Sequence, residues 1–221
     1  MSMIVVLIGP QGAGKGTQAQ MLSEKLGLPI IATGEILRKV AEEETPIGLR
    51  VRETQKSGNL VPDDILAQIV RDRIALADCD NGCILDGFPR TLPQAALLEE
   101  LADLKGDKIF AVKISVPRDM LWKRLAGRRI CSSCAATYNV YLKPSKADGI
   151  CDLDRGALVT RDDDRPEAIE QRLALYDEKT KPILEYYKQS GRLHEIDGVG
   201  DPLDVFSRIA GALGVTGIGR G

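Results

Sequence analysis

The chain opens on an uninterrupted apolar run, Ile4 to Ile8, closed by Gly9. A run of this length without alternation predicts a strand buried on both faces, as in the middle of a parallel sheet. From Gly16 the period changes: Ala19, Leu22 and Leu26 recur at helical spacing and Gly27 supplies the stop. Strands are predicted again at Cys83 to Leu85, Ile109 to Val116 and Leu193 to Ile196. Helical patterns cover residues 92–103, 118–126, Pro166 to Lys188 and Pro202 to Leu213. Strand and helix alternating in this way predict the α/β class with a parallel sheet. A polar helical stretch from about 34 to 61 and a loop-rich one from about 128 to 163 interrupt the alternation, and both are expected to be insertions on the binding edge of the sheet.

With 221 residues, 43% of them hydrophobic, the chain can bury one substantial core. Its 30 basic and 32 acidic residues leave no global field for nucleic acid or an anionic membrane, so neither partner is expected and any anion site must be local. Met1-Ser2-Met3 leads straight into the apolar run with no basic leader, and no 18-residue apolar stretch occurs, so the expectation is a cytoplasmic protein. Of the five cysteines, Cys79 and Cys83 flank or begin a predicted buried strand and are expected to be inert core thiols. The Gly-rich tail, residues 214–221, is expected to be flexible.

Between the first strand and first helix lies Gly9-Pro10-Gln11-Gly12-Ala13-Gly14-Lys15-Gly16-Thr17. At such a junction backbone N–H groups and a helix N-terminus converge on phosphate. Gly12, Gly14 and Gly16 let the backbone approach without a Cβ, Lys15 would reach the β- and γ-phosphates, and the Thr17 hydroxyl would face Mg²⁺ or a phosphate oxygen. Gly16 departs from the general pattern, which has Ser or Thr directly after the lysine. A second strand delivers Asp86 at its C-terminal end, where a carboxylate can orient the water shell of Mg²⁺. Cys131 and Cys134, then Cys151 and Asp154 after sixteen intervening residues, form two knuckles able to close a tetrahedral site. Zn²⁺ is the expected ion, and with four protein ligands it would be structural. The insert has too few large apolar side chains to build a core, so a metal would supply folding energy that burial cannot.

The form G-x-x-G-x-G-K-G-T, the run Asp86-Gly87-Phe88-Pro89-Arg90 and the segment Thr33-Gly34-Glu35-Ile36-Leu37-Arg38 resemble the adenylate kinases, over about Ile4 to Leu213. The cysteine spacing resembles the bacterial long-lid members with a zinc-binding lid. Two positions differ from the commoner family pattern: Pro10-Gln11, and Glu35 where Asp is frequent.

The resemblance implies a P-loop nucleoside monophosphate kinase fold with a parallel five-stranded sheet. Its core would be residues 1–31, 62–126 and 165–213, with an NMP-binding insert at 32–61 and a zinc-stapled lid at 127–164. It implies reversible phosphoryl transfer from Mg·ATP to AMP, giving two ADP, by a monomer. Lys15, Asp86, Arg90, Arg124, Arg128, Arg161 and Arg172 would be the catalytic set. Gly12 to Thr17 (including Ala13), Arg124, Arg128, Thr137, Tyr138 and Gly200 would hold ATP. Thr33, Arg38, Asn59, Leu60, Val61, Gly87, Phe88, Pro89, Arg90, Gln94, Arg161 and Arg172 would hold AMP, with Gln94 reading the adenine.

An AMP phosphate is already an anionic nucleophile, so the lone His194 is expected to be structural, and catalysis reduces to in-line positioning and charge neutralisation. Two alternatives stay open. One is a kinase for another nucleoside monophosphate, against which Thr33 and Gln94 argue. The other is a zinc-ribbon NTPase that binds nucleic acid, suggested by the basic residues Arg128, Arg129 and Lys143 beside the cysteines.

Overall fold

The computed structural model describes residues 2–57 and 59–215, so most of the Gly-rich tail, residues 216–221, lies outside the described residues. Its centre is a five-stranded, all-parallel sheet of β1 (Met3–Ile8), β2 (Ile30–Ala32), β3 (Gly82–Asp86), β4 (Lys108–Ser115) and β8 (Leu193–Asp197). The spatial order is β2-β3-β1-β4-β8. β1 is central, and its period of two divides the core. Ile4, Val6 and Ile8 face a cluster completed by α4 (Asp63–Ile74), α5 (Leu92–Lys105) and α8 (Lys181–Gln189). Val5 and Leu7 face the other, built on α1 (Lys15–Leu26), α6 (Arg118–Ala126), α7 (Pro166–Leu175) and α9 (Pro202–Ala212). Ile4 to Ile8 are each at most 2% exposed, as a doubly covered strand requires. Each such side chain contributes about 1.5–3 kcal/mol of burial.

The helices start where local chemistry allows. Thr91 caps α5 by accepting from Gln94 N–H, with Leu92 and Pro93 next, and Asp201 caps α9 ahead of Pro202. α1 ends on Gly27 in the left-handed region (φ 68°), as the sequence predicts.

Other elements differ from expectation. β2 was not located, because three residues after Pro29 are too short to display a period. α4 was also missed: its stripe Leu66, Val70, Ile74 is thin among charged neighbours. The polar stretch after residue 33 is two helices, α2 (Thr33–Glu42) and α3 (Pro46–Lys56), separated by a turn. The single helix expected over Pro166 to Lys188 is α7 and α8 joined through a wide π turn at Tyr176–Thr180. The loop-rich insert carries its own antiparallel sheet of β5 (Arg128–Cys131), β6 (Thr137–Asn139) and β7 (Leu158–Val159). Its apolar centre is only Cys131, Tyr138 and Cys151, with Ala136 and Leu158 against them.

All five strands of the main sheet point their C-terminal ends the same way, so Gly9, Asp86 and Asp197 emerge on one edge. Open parallel sheets bind ligands at this edge.

Candidate active site

The β1–α1 turn presents the phosphate loop. Gly14, at φ 96°, makes the left-handed turn into α1, whose first turn carries no acidic residue to compete with an anion. Gly9 packs so close to β4 that a Cβ would sit 2.9 Å from the Ile114 carbonyl oxygen. Lys15 Nζ donates to the carbonyls of Gly9 (2.9 Å) and Pro10 (3.1 Å), so the ammonium folds back over its own loop. The side chain is half-buried, and desolvation lowers its pKa to about 8, against the attraction of Asp86. Gly12 to Thr17 lie together here, with Ala13 turned into the core, Gly16 and Thr17 exposed, and Arg124 Nη1 donating to the Gly12 carbonyl at 3.2 Å.

One cleft joins this loop to the neighbouring strand ends. Lys15, Thr33, Arg38, Asn59, Leu60, Val61, Gly87, Pro89, Arg90, Gln94 and Arg172 all line it. Thr33 Oγ1 donates to the Asp86 carbonyl at 3.2 Å, and Arg90 Nε to the Gly87 carbonyl at 2.7 Å. Gly87, at φ 89°, is required at this crossing: a Cβ would lie 2.7 Å from Thr33 Oγ1 and 2.9 Å from Arg90 Nη2. Gln94 is buried. Its Oε1 accepts from Arg90 N–H (2.8 Å) and its Nε2 donates to Asp63 Oδ1 (2.6 Å), leaving one Nε2–H free of these bonds. Asp63, which sequence reasoning did not single out, also accepts from Thr91 Oγ1 at 2.9 Å. Tyr176, Thr180 and Gln55 also line the cleft and were likewise missed. No motif marks them; tertiary packing alone brings them there.

The arginines form a second layer. Arg90 is driven down to about 10 by desolvation and then by Arg172, and Arg161 to about 10 by desolvation, Arg128 and Arg38. Arg172 is shifted down as well, first by desolvation. The acidic run 162–164 sits among them. Arg128 forms a two-pronged pair with the buried Asp164 through Nε (2.7 Å) and Nη2, and Arg172 Nη1 lies 2.8 Å from Asp163. Two neighbouring arginines are held elsewhere: Arg165 pairs with Asp162 at 3.1 Å, and Arg129 donates to the carbonyls of Ala126 and Arg128. Arg124, Arg128, Arg161, Phe88, Thr137, Tyr138 and Gly200 do not line the cleft itself. Phe88 is a core residue, Thr137 and Gly200 are exposed, and the Tyr138 hydroxyl points inward, 3.4 Å from Cys151 Sγ while accepting from Asp152 N–H.

In the loop-rich insert, potential ligand atoms of Cys131, Cys134, Cys151 and Asp154 all lie within 4.8 Å of one another. Cys134 Sγ and Cys151 Sγ are 3.7 Å apart, and Cys131 Sγ is 3.2 and 3.5 Å from the two Asp154 oxygens. A zinc tetrahedron with the usual bond lengths has S–S and S–O edges of about 3.7 and 3.5 Å. Ser133 and Leu153 N–H groups donate to the first sulfur of each knuckle at 3.4 Å, and the Gly156 N–H to Asp154 Oδ1 at 2.9 Å. That N–H, with the thiols, holds the Asp154 carboxyl well below the usual carboxylate range. A donor set of three thiols and a carboxylate fits Zn²⁺.

A phosphate loop at the end of the central strand, opening into an arginine-lined cleft over the adjacent strand ends, is the arrangement of P-loop nucleoside monophosphate kinases. The family model described as adenylate kinase matches residues 7–192. The adenylate kinase of Citrifermentans bemidjiense is 46% identical over 212 residues, 96% of this chain and 99% of that protein. Those of Lachnoclostridium phytofermentans (45%) and Clostridium tetani (43%) align over 213 residues, 96% of this chain and 98% and 99% of theirs. The chain belongs to the adenylate kinase family.

The desolvated Lys15 gives a pH prediction. Its pKa in the folded protein, about 8, lies below its ordinary value near 10.5. Between these values the unfolded chain binds more protons, so Lys15 contributes stability that rises with pH across that window. Nucleotide phosphates act in the opposite sense, since they favour the ammonium. Binding of Mg·ATP is therefore expected to take up protons above about pH 8 and to weaken as pH rises. Calorimetry in buffers of different ionisation enthalpy measures this, and proton release at pH 9 would contradict it.

Proposed function

We infer that the chain works as an adenylate kinase, transferring the γ-phosphoryl group of Mg·ATP to AMP and forming two ADP. The observation that carries this is the single cleft in which Lys15 of the phosphate loop and Arg90, Arg38 and Arg172 of the monophosphate side converge. Donor and acceptor phosphates held there lie in line, and positioning of this kind replaces chemical activation of a nucleophile. Lys15 neutralises the oxygens of the migrating group. The arginines take up the charge that spreads over the donor and acceptor phosphates, in a site where water is scarce and the interaction correspondingly strong.

Mg²⁺ comes with ATP. The Asp86 carboxylate makes no hydrogen bond among the described residues and lies beside Gly16, so it is available to the ion's water shell, with the Thr17 hydroxyl nearby. Thr33 and Gln94, through its free Nε2–H, would contact the adenine of AMP. Thr137, Arg124 and Gly200 would hold the donor nucleotide from the other side, with Tyr138 bracing the lid beneath it. Segments 32–61 and 127–164 act as covers that exclude water until both nucleotides are seated.

Cys131, Cys134, Cys151 and Asp154 would hold Zn²⁺ as a structural ion. It would supply the lid with the stability that its small apolar centre cannot provide. We place the enzyme in the cytoplasm as a monomer acting on ATP, AMP and ADP, without nucleic acid. No helix among the described residues is long and apolar enough to cross a membrane.

Phosphoryl transfer from Mg·ATP to AMP, GMP, CMP, UMP and water, followed by chromatography, tests the assignment. ADP production is expected with AMP alone; preference for another monophosphate would reassign Thr33 and Gln94, and hydrolysis alone would defeat the reading. Lys15→Met is expected to lower kcat by about 10²-fold or more with the fold intact by circular dichroism, and near-normal turnover would contradict its role. Cys131→Ser is expected to lower Tm by several degrees while room-temperature turnover falls by less than about twofold. Lost turnover with an unchanged Tm would argue against a structural ion.

A further inference from the structure

The loop after β8 is pinned at every residue but one. The Gly198 N–H donates to the Ser115 carbonyl at 2.8 Å, and a Cβ at Gly198 would meet Ile114 Cγ2 at 2.5 Å and Val116 Cγ2 at 2.8 Å. Val199 N–H donates to Asp197 Oδ1 at 3.0 Å, and Asp201 accepts from Leu203 N–H at 2.9 Å. From α1, one residue beyond Thr17, the buried Gln18 donates Nε2 to the Pro202 carbonyl at 3.0 Å. Gly200 is the exception. It is exposed, sits at φ 120°, and makes no hydrogen bond among the described residues.

One side chain shapes the segment around it. Arg208 reaches back from α9, and its Nη1 donates to both the Asp197 carbonyl (2.7 Å) and the Val199 carbonyl (2.8 Å). Its Nη2 lies 3.7 Å from where a Gly200 Cβ would stand. Two carbonyls that would otherwise turn freely toward solvent are thereby directed at the guanidinium, and the peptide groups of Gly200 are left facing outward.

The order of strands says what this loop can serve. The acceptor side, with Thr33, Gly87 and Arg90, lies over β2 and β3. A γ-phosphate bound at Lys15, the first residue of α1 after the β1 loop, must face that side, so the remainder of the donor extends over β4 and β8, where residues 197–201 emerge. We propose that Arg208 is a positioning residue for the donor nucleotide: by fixing the carbonyls of Asp197 and Val199 it holds Gly200 in the conformation that meets the donor base. This rests on the reading of Gly200 as a donor contact and adds the residue that sets its geometry.

The test is steady-state kinetics on the full chain and its Arg208→Met and Arg208→Lys variants, varying Mg·ATP and AMP in turn. It is combined with inhibition by Mg·tripolyphosphate, which has the phosphates without a base, and with the Gly200 amide resonance on titration with Mg·ATP. Arg208→Met is expected to raise KM for Mg·ATP by roughly five- to thirtyfold. KM for AMP, kcat and tripolyphosphate inhibition should stay within about twofold, since neither the acceptor nor a baseless donor uses the loop. Arg208→Lys, which keeps a donor but not the paired geometry, should recover part of the loss. An unchanged KM for Mg·ATP would overturn the role of Arg208, as would parallel losses for both substrates and tripolyphosphate with a fall in Tm. A Gly200 amide that Mg·ATP leaves unmoved in the unaltered protein would remove the donor base from this loop, and the proposal with it.

Discussion

The structure depends on holding several cations together out of water before any anion arrives. Lys15 folds over its own loop with its pKa drawn down to about 8, and Arg90, Arg161 and Arg172 are shifted the same way by burial and by one another. Such a cluster is costly in an empty cleft. Two features offset the cost: backbone carbonyls at Gly9, Pro10 and Gly87 accept from the cations, and Asp163 and Asp164 pair with Arg172 and Arg128. On the proposed reading, the nucleotide phosphates would relieve what remains, and repulsion within the free site would become binding and transition-state stabilisation once both nucleotides are present.

The scaffold serves that cluster. A parallel sheet delivers every strand's C-terminal end to one edge, and the central position of β1 places the loop that leads to Lys15 between the loops that follow β3 and β4. Glycines occur where side chains would obstruct the site, as at Gly87, where a Cβ would displace Thr33 and Arg90. The loop-rich insert contributes little packing of its own, since its apolar centre is two cysteines and a tyrosine with two partly buried neighbours. On the proposed reading, an ion held by Cys131, Cys134, Cys151 and Asp154 would take the place of a core in this segment.

The chain alone reveals those parts whose information is local. The run Ile4 to Ile8, the phosphate loop and the cysteine knuckles are contiguous signals, and strand, turn and a cluster of potential metal ligands stand where their spacing puts them. β2 was hidden because three residues carry no period, and α7 and α8 read as one helix because the π turn at Tyr176–Thr180 keeps the helical appearance of the sequence. Asp63 escaped notice since nothing in its neighbourhood announces that it will meet Gln94 and Thr91, some thirty residues away. The acidic run 162–164 was visible as charge. Its partners were visible only in part: Arg165, close in sequence, pairs with Asp162, while Arg128 and Arg172 are brought to Asp164 and Asp163 by the fold and Arg129 turns to backbone carbonyls.

The central claim is that the two nucleotides meet with their terminal phosphates at Lys15, the acceptor in the cleft over β2 and β3 and the donor extending over β4 and β8. Calorimetric titration with two adenosines joined through five phosphates tests it directly, because such a molecule spans donor and acceptor sites only if they are collinear and adjacent. The account predicts one molecule bound per chain, far more tightly than either ATP or AMP, with both displaced together. Two molecules bound per chain, or displacement of ATP while AMP stays in place, would contradict it.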